Sequence, residues 1–282
     1  MSSYLEPAPA GPVKPVTVPW VRAQKGRQRL SMLTAYDYPM ATLIDRAGVD
    51  MVLVGDSLGP VMYGEPNTLS VTMEDMLRHG RAVSHACRRA LVIGDLPFMS
   101  YQVSREQAIS NAGRFLKEAR VKAVKLEGGS EVAELVRDLS RAGIPVCGHI
   151  GLTPQSIHAM GTYRMHGKTP DERHFLLQSA RDLADAGAFA IVLECVEAGL
   201  AAEISRAVPV PTIGIGSGTD CDGQVLVTHD LLGLTIGHVP RFVTPTASLG
   251  EAFLQGVAKY VERTRAEGAA TPADGRADVL SH

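Results

Sequence analysis

Six ionisable side chains stand at or near the ends of short apolar runs: Asp56 in VGDS, Asp95 in IGDLPF, Lys125 and Glu127 in VKLEGG, His149 in CGHIGLTPQS and Glu194 in VLEC. A carboxylate closing an apolar segment is costly to bury unless it is paired or holds a metal. Singly, most have an ordinary structural account. An Asp after a strand can cap the next helix or shape a turn. Lys125 and Glu127, at i and i+2, can form an ion pair on one strand face, and His149 can be a hydrogen-bonded core histidine. Glu194 resists that account, because four apolar residues precede it and no cation lies nearby in sequence. Five consecutive runs carrying such groups point jointly to one shared polar site.

The residue types restrict the chemistry. Two Asp and a Glu offer hard oxygen ligands, which suit Mg²⁺ better than zinc, and no HxH or HExxH spacing competes. Asp56, Asp95 and Glu127 are balanced in charge by Lys125 plus a divalent ion, which leaves a neutral frame able to accept an anionic substrate. Magnesium takes one or two carboxylates directly, keeps water, and leaves positions for a bidentate ligand. Such an ion is a Lewis acid on a carbonyl and stabilises an enolate. A separate base is then required, and Glu194 on another run is the candidate, suited to a carbon acid if its pocket is dry.

These groups can meet only if the runs are strands sharing one end. The runs are LSMLTA (30–35), MVLVG (51–55), LVIGD (91–95), AVKLE (123–127), PVCGHI (145–150), AIVLE (190–194), PTIGIG (211–216) and a poorer one at RFV (241–243). Most carry β-branched residues, as strands of a helix-covered parallel sheet do. Between them lie helical stripes: Val132, Leu135, Val136 and Leu139; Leu176, Ala180, Leu183 and Ala184; and Phe253, Val257, Tyr260 and Val261. Alternation of roughly eight of each predicts an α/β fold, a single (β/α)8 TIM barrel, with a doubly wound open sheet as the alternative. In a barrel the C-terminal strand ends form one rim, where barrel enzymes keep their sites. The expected organisation is a flexible N-terminal arm over 1–28, rich in proline, a catalytic barrel over 29–267 and a flexible tail over 268–282.

Composition narrows the partners. The chain has 282 residues, 28 Lys plus Arg against 30 Asp plus Glu, and net charge −2. With no basic run, this gives no attraction to nucleic acid or to an acidic membrane. No stretch approaches the ~20 apolar residues of a membrane span, and the N-terminus lacks the form of a secretory signal. The four cysteines make no CxxC pair, so free thiols in a reduced, cytoplasmic setting are expected. TIGIGSG (212–218) has GxGxG spacing and no P-loop lysine, so it reads as close packing rather than a nucleotide loop. The polar segment GTYRMHGKTPDER (161–173) is a lid candidate or a plain surface loop.

MLTAYDYPMA (32–41), VGDSLG (54–59), DLPFMSY (95–101), VKLEGG (124–129), GHIGLTPQS (148–156), VLEC (192–195), IGIGSG (213–218) and DGQVLV (222–227), in that order, resemble the ketopantoate hydroxymethyltransferase family. The resemblance implies a barrel of the phosphoenolpyruvate mutase/isocitrate lyase superfamily type, assembled as a homodecamer. It also implies transfer of a hydroxymethyl group from methylenetetrahydrofolate to α-ketoisovalerate in pantothenate and coenzyme A synthesis. By position, Asp56 and Asp95 match magnesium ligands that also bind substrate, and Glu127 matches an acid reaching the metal through water. Ser57 and Lys125 match residues holding the keto acid, Glu194 the base, and His149 an active-site histidine. GTYRMHGK (161–168) departs from the family's usual GGYKVQGR. The rival enzyme reading is a magnesium-dependent C–C lyase or mutase of the same superfamily. That group shows a cysteine-bearing loop after strand four, where this chain has EGGS (127–130). A non-catalytic barrel scaffold is the rival from another class.

Overall fold

The computed structural model describes residues 13–269, with side chains through 266. Among them, eight parallel strands close into a barrel in chain order. They are β1 Leu30–Thr34, β2 Met51–Val54, β3 Leu91–Asp95, β4 Ala123–Glu127, β5 Val146–Gly151, β6 Ala190–Glu194, β7 Thr212–Ile215 and β8 Gly223–Leu226. β8 pairs with β1 at Leu30↔Gly223 and shuts the ring. The helices are α1 Val18–Ala23, α2 Tyr38–Arg46, α3 Met73–Ala86, α4 Arg105–Arg114, α5 Ala133–Arg141, α6 Ile157–Met160, α7 Pro170–Asp185, α8 Ala198–Ala207, α9 Thr228–Leu231 and α10 Leu249–Ala269. The chain divides into a unit ending at Thr228, which holds the barrel, and a second unit from His229, which holds α10.

Local chemistry starts the helices where they begin. Thr72 accepts the Asp75 N–H while Asp75 accepts from the Thr72 N–H, a capping box on α3. Thr169 caps α7, with Pro170 at its first position and Asp171 and Glu172 in its first turn. Strand alternation then divides the core. Leu91, Ile93, Met51, Leu53, Met32, Val192 and Ile213 pack inside the barrel. Val52, Val54, Val92, Val124, Leu126, Ile191 and Leu193 pack outward under the helices.

Two expectations are corrected. The eighth strand is Gly223–Leu226, not 241–243. Pro240 and Pro245 flank RFV and cannot donate to a ladder, and Val243 N–H instead closes a turn on the Pro240 carbonyl at 2.9 Å. Part of the irregular arm is ordered. Thr17 caps α1, and the buried Val16 and Val21 join the barrel-interior cluster. Lys25 just beyond α1 pairs with Asp222 at 2.7 Å, which also accepts the Thr212 N–H at 2.9 Å at the start of β7. The 253–261 stripe lies on α10, as its spacing predicts, with Phe253, Val257 and Tyr260 exposed. Residues 1–12 of the arm and 270–282 of the tail lie outside the described residues, while Gly268 and Ala269 continue α10.

Candidate active site

The inward faces of β3 to β6 start apolar and end ionisable. Leu91 and Ile93 fill the barrel and Asp95 comes next; Ala123 is followed by Lys125 and Glu127, Cys147 by His149, and Ala190 and Val192 by Glu194. Period-two alternation therefore delivers these groups to one cavity above the apolar floor. Register sets their neighbours: Asp95 pairs with Lys125, and Glu127 with His149. Asp56 and Ser57 arrive from the turn after β2. The cavity, about 120 Å³, is lined by Asp56, Ser57, Asp95, Lys125, Glu127, His149 and Glu194, with Thr34, Thr68 and apolar side chains. Every candidate site residue read from the sequence is thus in one place.

Within it, Lys125 Nζ lies 2.8 Å from both Asp95 oxygens and 4.0 Å from Glu127 Oε1. The lysine therefore serves β3 more closely than its own strand. Asp95 Oδ2 also accepts the Asp56 N–H at 3.4 Å. His149 stands between two acids, with Nδ1 3.5 Å from Glu127 Oε1 and Nε2 3.2 Å from Glu194 Oε2. These are ion-pair separations without well-formed hydrogen bonds, since neither ring nitrogen has a hydrogen-bond partner. The other five ionisable groups are buried, whereas the Glu194 side chain is 20% exposed. Glu194 thus sits at the wet edge of the cavity, with His149 as its partner. Ser57 Oγ lies 2.8 Å from the buried Tyr36 hydroxyl.

The electrostatics follow from burial and crowding. Burial first, then Asp95 and Glu127, pushes the Asp56 carboxyl well above its usual range, with Lys125 and Gln155 pulling it back. Burial also raises Asp95, although Lys125 opposes it. For Glu127, His149 and Lys125 outweigh burial and the carboxyl is lowered. Burial disfavours the Lys125 ammonium, yet Asp95, Glu127 and Asp56 hold it charged beyond the usual lysine range. Burial and Lys125 both oppose a charge on His149, but Glu127 and Glu194 prevail and raise it to about 9. Four acids, Asp56, Asp95, Glu127 and Glu194, thus share the cavity with two bases, Lys125 and His149.

That imbalance is the structural test of a divalent ion, and the residues fit. Asp56 and Asp95 bring hard oxygens to a site short of positive charge, and Lys125 is committed to Asp95. Among the described residues no three His, Cys, Asp or Glu side chains form a ready coordination shell. Magnesium needs no such shell, because it binds through one or two carboxylates and fills the rest with water and substrate oxygens. Both Glu127 oxygens are already engaged, Oε1 by His149 and Oε2 by the Gln155 N–H at 3.0 Å.

Several residues at the site escaped the sequence reading. Gln155 and Tyr101 fell inside quoted motifs but had no charge to mark them. Thr68 offers a buried hydroxyl without a hydrogen-bond partner on the cavity wall, and nothing in its sequence surroundings signals this. A larger cavity, about 450 Å³, lies beside the first and shares only Glu127 with it. The glycine-rich loop is structural, since Ser217 Oγ accepts the Val196 N–H at 2.9 Å and donates to the Leu193 carbonyl at 2.7 Å, fixing the end of β6. The 161–173 loop is tethered by Arg164 to Glu172 at 2.6 Å. Its exposed Tyr163 is raised by burial, then by Glu194 and Asp56, so it lies within electrostatic reach of the site. After β4, EGGS passes through the short turn Ser130–Val132 directly into α5. All four cysteines are free, Cys147 and Cys221 buried and Cys87 and Cys195 part-exposed. Among the described residues no helix is long and apolar enough to cross a membrane.

Residues 15–269 match the family described as ketopantoate hydroxymethyltransferase. A relative from Syntrophobacter fumaroxidans, named 3-methyl-2-oxobutanoate hydroxymethyltransferase, is 56% identical over 88% of this chain and 88% of its own. A second of that name, from Carboxydothermus hydrogenoformans, is 53% identical over 89% of this chain and 91% of its own. Among solved structures, the phosphoenolpyruvate phosphomutase of Streptomyces platensis subsp. rosaceus superposes with TM-score 0.59 at 16% identity, covering 89% of this chain and 88% of that one. A 2,3-dimethylmalate lyase of the PEP mutase/isocitrate lyase superfamily superposes with TM-score 0.56 at 14% identity, covering 92% and 91%. These likenesses concern the barrel.

Proposed function

The chain belongs to the ketopantoate hydroxymethyltransferase family, and from that membership we propose that it converts α-ketoisovalerate (3-methyl-2-oxobutanoate) to ketopantoate. Methylenetetrahydrofolate and water supply the hydroxymethyl group. The reading places the reaction in pantothenate and coenzyme A synthesis, in the cytoplasm, on a homo-oligomer, a decamer by family resemblance. The observation that carries it is one cavity with two opposed walls. Asp56, Asp95 and Lys125 form a frame for an anion and a cation, and Glu194 stands apart on β6 beside His149.

Magnesium, when bound at Asp56 and Asp95, supplies Lewis-acid polarisation of a carbonyl. The protein's own groups do the rest. Lys125, permanently charged, and Ser57 hold the keto acid, and the Lys125 charge also favours the negative oxygen that develops as the neighbouring carbon loses its proton. Glu194 takes that proton from the branched carbon. His149, positively charged below about pH 9, keeps the Glu194 carboxylate aimed and receives part of the charge change when it is protonated. The resulting carbanion equivalent attacks the methylene carbon of the folate, breaking one of its two C–N bonds as the C–C bond forms. The proton held by Glu194 passes to the released nitrogen. Water then cleaves the second C–N bond, its oxygen becoming the new hydroxyl and its proton going to the leaving nitrogen of tetrahydrofolate.

Proton exchange in D₂O, with Mg²⁺ and α-ketoisovalerate but no folate, isolates the first step. Wild type is expected to replace the methine proton with deuterium, followed by NMR, and Glu194→Gln to slow exchange by about 10²–10⁴-fold, the usual worth of a positioned base. Wild type that fails to exchange, or full exchange by Glu194→Gln, rejects the assignment, and His149 is then the base to test.

A further inference from the structure

Gln155 has no charge, yet it is the most connected side chain at the site. It lies in the short turn Pro154–Ser156 after β5 and is buried, with 4% of its surface exposed. Its Nε2 donates to Asp56 Oδ2 at 2.8 Å and to the Leu96 carbonyl at 2.9 Å. Its Oε1 accepts from the Tyr101 hydroxyl at 2.9 Å and from Gln102 Nε2 at 3.4 Å. Its backbone N–H donates to Glu127 Oε2 at 3.0 Å. The amide orientation is fixed by the Leu96 carbonyl, which can only accept. Tyr101 is buried too. Its hydroxyl accepts the Glu127 N–H at 3.2 Å and lies 3.0 Å from the Glu127 carbonyl.

We propose that Gln155, itself held by Tyr101, is the positioning residue that orients the Asp56 and Glu127 carboxylates and so sets the affinity of the site for a divalent cation. The inference rests on reading the cavity as a magnesium site. Asp56 and Glu127 come from β2 and β4, which are not neighbours in the barrel, so no strand ladder fixes one against the other. Gln155 reaches both from the β5 side. It engages one oxygen of Asp56 and leaves Oδ1 for a cation. Lys125 cannot do this, because its close contacts are with the two oxygens of Asp95. An amide suits the position better than a cation or an acid. It donates to crowded carboxylates without adding a positive charge that would repel a metal, and it keeps an acceptor for Tyr101. Outer partners of metal-ligating carboxylates commonly change metal affinity about 10–100-fold when removed.

The plainer account makes Gln155 a loop anchor through Leu96, and metal binding separates the two. The probe is Mn²⁺, titrated without substrate into the full chain while free Mn²⁺ is followed by EPR. The proteins are wild type, Gln155→Met and Tyr101→Phe, with folding checked by circular dichroism. Gln155→Met is expected to weaken Mn²⁺ binding about 10–100-fold and Tyr101→Phe to weaken it several-fold, with turnover of Gln155→Met recovering as Mg²⁺ is raised. Folded variants that bind Mn²⁺ within twofold of wild type overturn the inference while leaving the magnesium site standing. Wild type that takes up no Mn²⁺ overturns both. Should Gln155→Met not fold, Tyr101→Phe decides alone, and unchanged affinity in it counts against the proposal.

Discussion

His149 joins the two chemical halves of the cavity, since one ring nitrogen faces Glu127 and the other faces the candidate base Glu194. Its charge is sustained by those two acids against burial and against Lys125. That balance has a stability signature in protein stripped of divalent ions. The folded-state value, about 9, lies above the ordinary 6.5, so between those limits the folded protein holds a proton that the unfolded chain has released. The contribution is complete below about pH 6.5 and disappears as pH rises through about 9. Its size is on the order of 3 kcal/mol. Denaturant unfolding of wild type and His149→Gln from pH 6 to 9.5 should show the wild-type advantage shrinking across that window. A gap that stays constant over the whole range would mean that His149 is neutral in the folded protein.

At the scale of elements, β5 and β6 meet at Gly151, and this contact positions Glu194, the proposed base. Gly151 has φ +99°, and a Cβ there would lie 2.3 Å from the Glu194 carbonyl oxygen. With no side chain in the way, the Leu152 N–H reaches that carbonyl at 2.8 Å. Gly151→Ala must adopt a disfavoured backbone and push Glu194 aside, so a loss of roughly 2–4 kcal/mol is expected. Proton exchange on α-ketoisovalerate should fall with it, although no functional group has been removed; wild-type stability and exchange would refute the point. Strand ends carrying Asp95, Glu127 and Glu194 were legible in the sequence because an ionisable residue after an apolar run stands out, and the barrel follows from counting those runs. β8 was not, because GQVL (223–226) has one fully apolar inward residue, Val225, and draws its stability from pairing with β1 and β7. α1 was hidden by its prolines, although Pro19 at a helix start is compatible with the helix. Gln155 was hidden because an amide gains its meaning only from the groups packed around it.

For the whole molecule, net charge −2 describes a nearly neutral surface, while the cavity gathers four acids and two bases. Composition averages away the arrangement that matters. The exposed apolar surface is just as unevenly placed. Single exposed apolar residues are ordinary, but a contiguous set marks an interaction site. In the second unit, Phe253 and Leu254 are each 69% exposed and Tyr260 60%, with Val257 between them at helical spacing on α10. The stripe that helical spacing predicts is thus on a helix and exposed. Burying such a side chain is worth about 1.5–3 kcal/mol, so four on each copy favour association with another copy over exposure to water, in keeping with the proposed homo-oligomer. Sedimentation equilibrium should therefore give wild type a mass that is a multiple of the 30.0 kDa chain. The pair Phe253→Glu and Leu254→Glu should shift it to smaller species while the barrel's circular dichroism is retained, because neither residue belongs to the barrel core. A monomeric wild type, or a double variant that keeps the wild-type mass, would show that this stripe does not hold the assembly together.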